Sequence, residues 1–243
     1  MGSVILRKHR VILVLAAFGT LLAAIVYWGN GLLIALESKA PSISRGTPSD
    51  GSIENAKRLP SSGSNFRTYS RFGSLIGRTC VHEKVRATVL GAYARLAKDL
   101  PNRMFVYGET GWPSGGGFWP HKTHENGLSV DFMVPVHSLG GDPDVLLTNL
   151  FNKFGYSVEF DSTGKAAGSA IDFEAMAAHL RAIWANAEEQ GVGIKVVIFD
   201  TKLQRHLFAS KGGQGLAALM KFSTKPAWVR HDELYHINFT VSN

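Results

Sequence analysis

The segment Leu128-Ser-Val-Asp-Phe-Met-Val134 decides how the chain is interpreted, because it places one carboxylate inside an otherwise apolar strand. Successive side chains of a β-strand point to opposite faces, so Asp131 shares a face with Ser129 and Met133 while the other face is wholly apolar. An unpaired buried charge is energetically costly. We therefore expect Asp131 to have a partner in the folded protein.

A second alternating segment, Leu234 to Val241, supplies a candidate partner, because His236 lies on its polar face. If the two strands are neighbours, His236 comes close to Asp131. His124 precedes the first strand, and Gly127 permits the turn between them. Zinc binds imidazole nitrogen and carboxylate oxygen, and catalytic zinc sites use three protein ligands and leave one position for water. The spacing thus gives three candidate ligands: His124, Asp131 and His236.

Glu233 precedes His236 by three residues and could accept a proton from a water in such a site. Each of these residues also has a plainer explanation when taken singly. A histidine is usually an ordinary surface or core residue, Asp131 could be a turn acceptor, and Glu233 could be a solvated carboxylate. From spacing alone, a metal site and these plainer explanations are equally open.

The part of the chain from residue 66 to residue 243 predicts an α+β domain. Helical spacing of apolar residues predicts long helices over 82–100 and 173–190. Further strands are predicted at 104–107 and 194–199, and short helices at 204–210 and 215–221. Because strands and helices do not alternate strictly, we expect a small, mainly antiparallel sheet with flanking helices.

The N-terminus predicts a single transmembrane helix. Arg7 to Arg10 precede an uncharged run from Val11 to Trp28, which as a helix would span ~27 Å, close to the ~30 Å of a bilayer core. The basic flank predicts an anchor in the inner (cytoplasmic) membrane with the C-terminal domain in the periplasm. The alternative is a cleaved signal peptide and a protein released into the periplasm. Its apolar core should be shorter, and no clean A-x-A site follows the run.

Residues 38–65 are dominated by Ser, Gly, Pro and charge, a composition typical of a flexible linker. The predicted organisation is therefore a cytoplasmic tip and membrane anchor at 1–37, a linker at 38–65 and a globular domain at 66–243. The sequence leaves the oligomeric state open.

Composition excludes several classes of protein. With 45% apolar residues among 243, the chain is not intrinsically disordered, and its one cysteine, Cys80, excludes an internal disulfide and a cysteine zinc cluster. The net charge of +7 suits an anionic partner. Nucleic acid is disfavoured, because the chain has an export signal and lacks a basic helix or RNA-binding motif. Peptidoglycan is also anionic.

Three motifs carry a resemblance to a known group of enzymes. Thr123-His124-x-x-Gly127-x-x-x-Asp131 resembles the signature of the LAS zinc peptidases, which include lysostaphin-type enzymes, D-Ala-D-Ala carboxypeptidases and the hedgehog signalling domain. The strongest similarity is to the penicillin-insensitive murein endopeptidases. Their motifs resemble Gly108-Glu109, the segment 121–131 and the closing segment 228–236, and they follow one another in the same order along the chain. Leu234 departs from that family, which has histidine there, and the family's disulfides are missing.

The resemblance implies a zinc-dependent D,D-endopeptidase that cuts murein peptide cross-links. It implies that His124, Asp131 and His236 hold the ion, that His121 and His231 are site histidines outside the ligand set, and that Glu233 is the general base. A D,D-carboxypeptidase, another LAS amidase or a catalytically silent cell-wall module are the alternatives.

The loop before the signature contains Trp112, Phe118 and Trp119. These aromatic side chains suit contact with a sugar or peptide stem, and packing beneath the loop is the alternative.

Overall fold

A five-stranded sheet organises the structure, a computed structural model that describes residues 2–225 and 230–242. The helices are α1 Gly2–Ala35, α2 Arg71–Leu75, α3 Glu83–Asp99, α4 Phe173–Glu189, α5 Gln204–Ala209 and α6 Leu216–Leu219, with a 3-10 segment at Leu150–Gly155. The strands are β1 Ile43–Thr47, β2 Asp50–Glu54, β3 Lys57–Arg58, β4 Phe66–Thr68, β5 Cys80–Val81, β6 Phe105–Tyr107, β7 Ser129–Met133, β8 Val136–Ser138, β9 Pro143–Asp144, β10 Lys165–Ala166, β11 Ser169–Ile171, β12 Val192–Ile198 and β13 Leu234–Val241.

The strand order of this sheet is β12-β13-β7-β6-β4, and all neighbours are antiparallel except β4 and β6. β13 pairs with β7 so that His236 lies directly opposite Asp131. A smaller antiparallel sheet has the order β10-β11-β8-β9. The prediction of an α+β fold with mainly antiparallel sheets is therefore confirmed, as is the expectation that the two motif strands are neighbours.

The two long helices pack against each other and against the sheet at β12. α3 and α4 begin and end within one residue of the ranges predicted from apolar spacing, and His82 and Leu100 cap α3. The apolar face of α3 is fully buried, as helical periodicity requires. The helices therefore cover the apolar face of the motif strands.

The opposite face of β7 and β13 is also buried, which the alternating pattern did not indicate. Ser129, Asp131 and His236 are as inaccessible as the apolar residues between them. Loops that carry Phe118 and Tyr156 lie over this face. The polar residues of the two strands are consequently held in a buried site beneath these loops.

The segment 38–65 differs from the expected flexible linker, because it is folded against the domain. β1 and β2 form a hairpin, and the Ser44 hydroxyl donates a hydrogen bond to the Asn126 carbonyl at 2.7 Å. Ile53 and Leu59 are buried. A polar composition hid these two apolar residues and the backbone ladder, which together are enough to pack the segment.

Helix α1 is long and apolar enough between His9 and Ala35 to cross a membrane, a property that a signal sequence would share. Its last turns contact the domain. The buried Asn30 side chain donates to the Leu59 carbonyl at 3.0 Å, and Glu37 just beyond the helix forms an ion pair with Arg86 at 2.8 Å.

Candidate metal centre

Asp131 is the point on which the histidines of the site converge. Its Oδ1 atom lies 2.8 Å from Nδ1 of His236, across the β7–β13 pair, and 3.3 Å from Nε2 of His124. The rings of the two histidines are 4.8 Å apart and nearly perpendicular. The three residues predicted as metal ligands are thus brought together.

The approach of His124 depends on a turn in which two residues have left-handed backbone conformations. His124 has a φ of 74° and Gly127 a φ of 72°. The positive φ favours glycine at position 127, and a Cβ atom there would lie 2.4 Å from Cδ1 of Ile53, so a larger residue would also have to displace that side chain. A left-handed histidine costs free energy and persists only where the surroundings hold it.

The ring of His124 is fully buried, yet neither of its nitrogens makes a hydrogen bond within the described residues. Leaving a buried polar atom without a partner costs roughly 1–3 kcal/mol. Burial also lowers the pKa of His124, so the ring is neutral at pH 7 and one of its two nitrogens carries a lone pair.

The tautomer of His236 follows from its second contact. Its Nε2 atom lies 3.0 Å from Oδ1 of Asn238, and that oxygen also accepts a hydrogen bond from the Ser129 hydroxyl at 2.6 Å. Nε2 therefore carries the hydrogen. With the hydrogen on Nε2, Nδ1 is the ring nitrogen that can bind a metal ion beside Asp131.

This donor set fits a metal ion. Two imidazole nitrogens lie close to one carboxylate oxygen. Burial alone would raise the pKa of Asp131, but His124 and His236 hold it well below its usual range, so the carboxylate is ionised and can bind a cation. One carboxylate oxygen and two imidazole nitrogens at these separations can supply three ligands to a metal ion. Bound metal would also give the unpaired ring of His124 a partner.

His121 offers a second grouping of ligands. It supplies an atom that lies within 4.8 Å of ligand atoms on both His124 and Asp131, so these three residues could hold a metal ion. The Nε2 atom of His121 lies 2.6 Å from Oε2 of Glu109. Burial opposes protonation of His121, but the hydrogen bond to Glu109 and the charge of Asp131 raise its pKa. The contact with Glu109 therefore competes with metal binding at Nε2 of His121.

A buried network around Glu109 supports the site, and sequence reasoning missed it. Glu109 accepts hydrogen bonds from Tyr69, at 2.7 Å, and from Arg78. Burial opposes ionisation, yet His121 and Arg78 lower the pKa of Glu109 to about 2. In the sequence, Glu109 stood out only as part of the Gly108-Glu109 pair that resembles the murein endopeptidases.

The second oxygen of Asp131 is held by Tyr156, a residue that no sequence pattern indicated. Tyr156 donates to Oδ2 of Asp131 at 3.1 Å and accepts from the backbone N–H of Glu109 at 3.0 Å. Tyr156 thus fixes the carboxylate plane and leaves Oδ1 to the histidines.

A cleft of about 710 Å³ opens onto the site and is lined by His121, Asp131, His231, Glu233 and His236. The ring of His231 is 6.3 Å from that of His236. Glu233 is almost fully buried, and its Oε2 atom makes no hydrogen bond within the described part of the chain. Burial raises the pKa of Glu233 to about 9.

The aromatic residues of the preceding loop were expected either to be exposed for contact with a substrate or to pack beneath the loop, and both arrangements occur. Phe118 is buried beneath the loop, with the Arg78 guanidinium 4.2 Å from its ring centroid, and Trp112 is half-buried. Only Trp119 is exposed. Trp228 of the closing motif lies outside the described residues.

The chain matches no protein-family model, and a search of curated proteins gave no significant match.

Replacing Glu233 with Gln should make the metal-free protein progressively more stable than the parent as pH rises. The carboxyl of Glu233 keeps its proton to about pH 9 when folded but loses it near pH 4.5 when unfolded. Between these values the unfolded state binds fewer protons than the folded state. The free energy of unfolding of the parent therefore falls by up to roughly 1.4 kcal/mol per pH unit, whereas Gln at position 233 does not titrate and causes no such fall.

Thermal unfolding with a chelator, in detergent, at pH values from about 5 to 8 measures this difference. The matched control is Glu188→Gln, on the exposed surface of α4. A stability difference for Glu233→Gln that stays constant with pH would contradict the burial of an uncompensated carboxyl.

Proposed function

We propose that the protein is a zinc-dependent peptidoglycan hydrolase, a D,D-endopeptidase that cleaves murein peptide cross-links. The observation that carries the proposal is the convergence of His124 and His236 on one oxygen of Asp131 at the base of a cleft. Two imidazoles and a carboxylate form the ligand set of many catalytic zinc sites. The resemblance to the murein endopeptidases, which have a LAS/hedgehog-like fold, supports the choice of substrate.

In this proposal His124, Asp131 and His236 hold the ion, and His121 stays outside the ligand set. His236 lies in register with Asp131 on a rigid sheet, whereas His121 lies on a loop and is paired with Glu109. Asn238 fixes the tautomer of His236 by accepting from Nε2. Zinc, when bound, supplies the Lewis acidity that activates water and polarises a carbonyl.

Glu233 is the proposed general base. Its buried carboxyl lines the cleft beside His236, so it can take a proton from the attacking water and deliver it to the leaving amine. A cation in the neighbouring site favours the ionised form of this carboxyl, which burial otherwise disfavours. His231, on the same cleft, stabilises the negative charge that develops on the carbonyl oxygen.

We also propose that α1 is retained as an inner-membrane anchor with the domain in the periplasm. A signal peptide is removed from the protein and has no need of contacts with the mature domain. Here Asn30 donates to Leu59, and Glu37 pairs with both Arg86 and the backbone of Arg58. These contacts support an intact N-terminal helix.

Cleavage of muropeptides tests the function. Purified cross-linked muropeptides incubated with the protein should yield monomers by mass spectrometry. A chelator should abolish the reaction, and a β-lactam should not, because no serine nucleophile is acylated. Release of terminal D-Ala without loss of cross-links would indicate a D,D-carboxypeptidase. Chelator-resistant cleavage that a β-lactam inhibits would discard the proposal.

The second candidate is a catalytically silent module, favoured by the raised pKa of Glu233, which leaves that group protonated at neutral pH without metal. Glu233→Gln separates the two candidates. For an enzyme, this variant should keep zinc and lose roughly 10²- to 10⁴-fold in turnover. If neither the parent nor Glu233→Gln cleaves muropeptides although both bind zinc, the silent module is favoured.

The ligand set is tested by metal content. His124→Ala, Asp131→Ala and His236→Ala should each lose the single zinc ion that the parent binds, while His121→Ala should keep it. His137→Ala serves as a control, since His137 lies in the smaller sheet and bonds the carbonyl of Ser138. Loss of zinc in His121→Ala with retention in His236→Ala would show that His121, His124 and Asp131 hold the ion instead.

A further inference from the structure

An exposed apolar patch, formed by Phe72, Ile76 and Trp119, lies at the rim of the cleft. Their exposed fractions are 57%, 45% and 86%. Phe72 and Ile76 line the same cleft as the proposed zinc ligands, and so does Pro120, the residue after Trp119. Large apolar side chains gathered at one rim indicate a surface that contacts something apolar.

The patch is fixed to the end of α1. Gly29 packs so closely on α2 that an added Cβ atom would lie 2.6 Å from Cδ1 of Leu75. The Arg71 guanidinium lies 4.1 Å from the centroid of the Tyr27 ring. Arg71 therefore clamps α2, and Phe72 with it, against the last turns of α1.

The depth of this contact follows from helix length. The apolar part of α1 has 27 residues, and about 20 are enough to cross a bilayer core. The remaining 27 − 20, or about 7 residues, extend ~10 Å at 1.5 Å per residue. Tyr27 and Trp28, both exposed, lie where these last turns begin, and such aromatic residues favour the membrane interface. α2 is thus held at the level of the lipid headgroups.

We propose that Phe72, Ile76 and Trp119 insert into the headgroup region of the bilayer that α1 crosses, so that the cleft opens at the membrane surface. The partner is the lipid interface itself. The consequence is that the enzyme takes peptides from the wall layer nearest the membrane. The membrane contact rests on the membrane anchorage proposed above and is independent of the peptidase activity. Only the consequence for the substrate depends on that activity.

Lipid-borne quenching tests the inference. The full chain, reconstituted in vesicles of phosphatidylethanolamine and phosphatidylglycerol, carries an environment-sensitive fluorophore at a single introduced cysteine, Phe72→Cys or Trp119→Cys. The natural Cys80 is buried and does not compete for label. Lipids spin-labelled near the headgroup should quench both positions several-fold more than Leu139→Cys, an equally exposed site (67%) at the β8–β9 turn.

Leu21→Cys, in the middle of α1, is probed with lipids spin-labelled deep in the acyl chain and reports on the anchor separately. If Leu21 is quenched but Phe72 and Trp119 are quenched no more than Leu139, the membrane contact is overturned and the anchor stands. No quenching at Leu21 would refute both. Energy transfer between labelled copies at Phe72, without lipid quenching, would show that a second chain covers the patch and would also overturn the inference. The two labelled positions are separate variants, so misfolding of one leaves the other informative.

Discussion

The pairing of His236 with Asp131 across β7 and β13 is the constraint on which the site depends. A carboxylate in the middle of a buried strand must be compensated, and the antiparallel register places an imidazole directly opposite it. A shift of one residue in that register would turn His236 to the opposite face of the sheet. The apolar residues between them hold the register, because α3 and α4 cover the other face.

Further hydrogen bonds hold the carboxylate of Asp131 and its neighbours in place. Tyr156 fixes Oδ2 of Asp131, and the backbone of Glu109 holds both Tyr156 and the N–H of Asp131. His236 and Tyr156, which both contact Asp131, are therefore each oriented by a further contact. Such outer contacts give a metal site its precision, and here they leave one oxygen and two ring nitrogens directed at a common point.

Much of this fold could be predicted from the sequence. Apolar periodicity located α3, α4 and β13 to within a residue, because one face of each element packs on the core. His124, Asp131 and His236 were identified because a polar residue within an apolar strand needs an explanation. Tyr156 and Glu109 were missed as site residues, since their contacts join segments far apart in the chain and no local pattern encodes them. The packing of residues 38–65 was missed for the same reason.

X-ray absorption at the zinc edge tests the central claim most directly, because it counts the atoms around the ion without any assay of activity. With His124, Asp131 and His236 as ligands, the spectrum of the zinc-loaded protein should fit four nitrogen or oxygen neighbours at about 2.0–2.2 Å, two of them imidazole and none sulfur. In Asp131→Asn the ion should be lost, or the fitted oxygen neighbours should change while the two imidazoles remain. A spectrum with three imidazoles, or one that is unaltered by replacement of Asp131, would contradict the account.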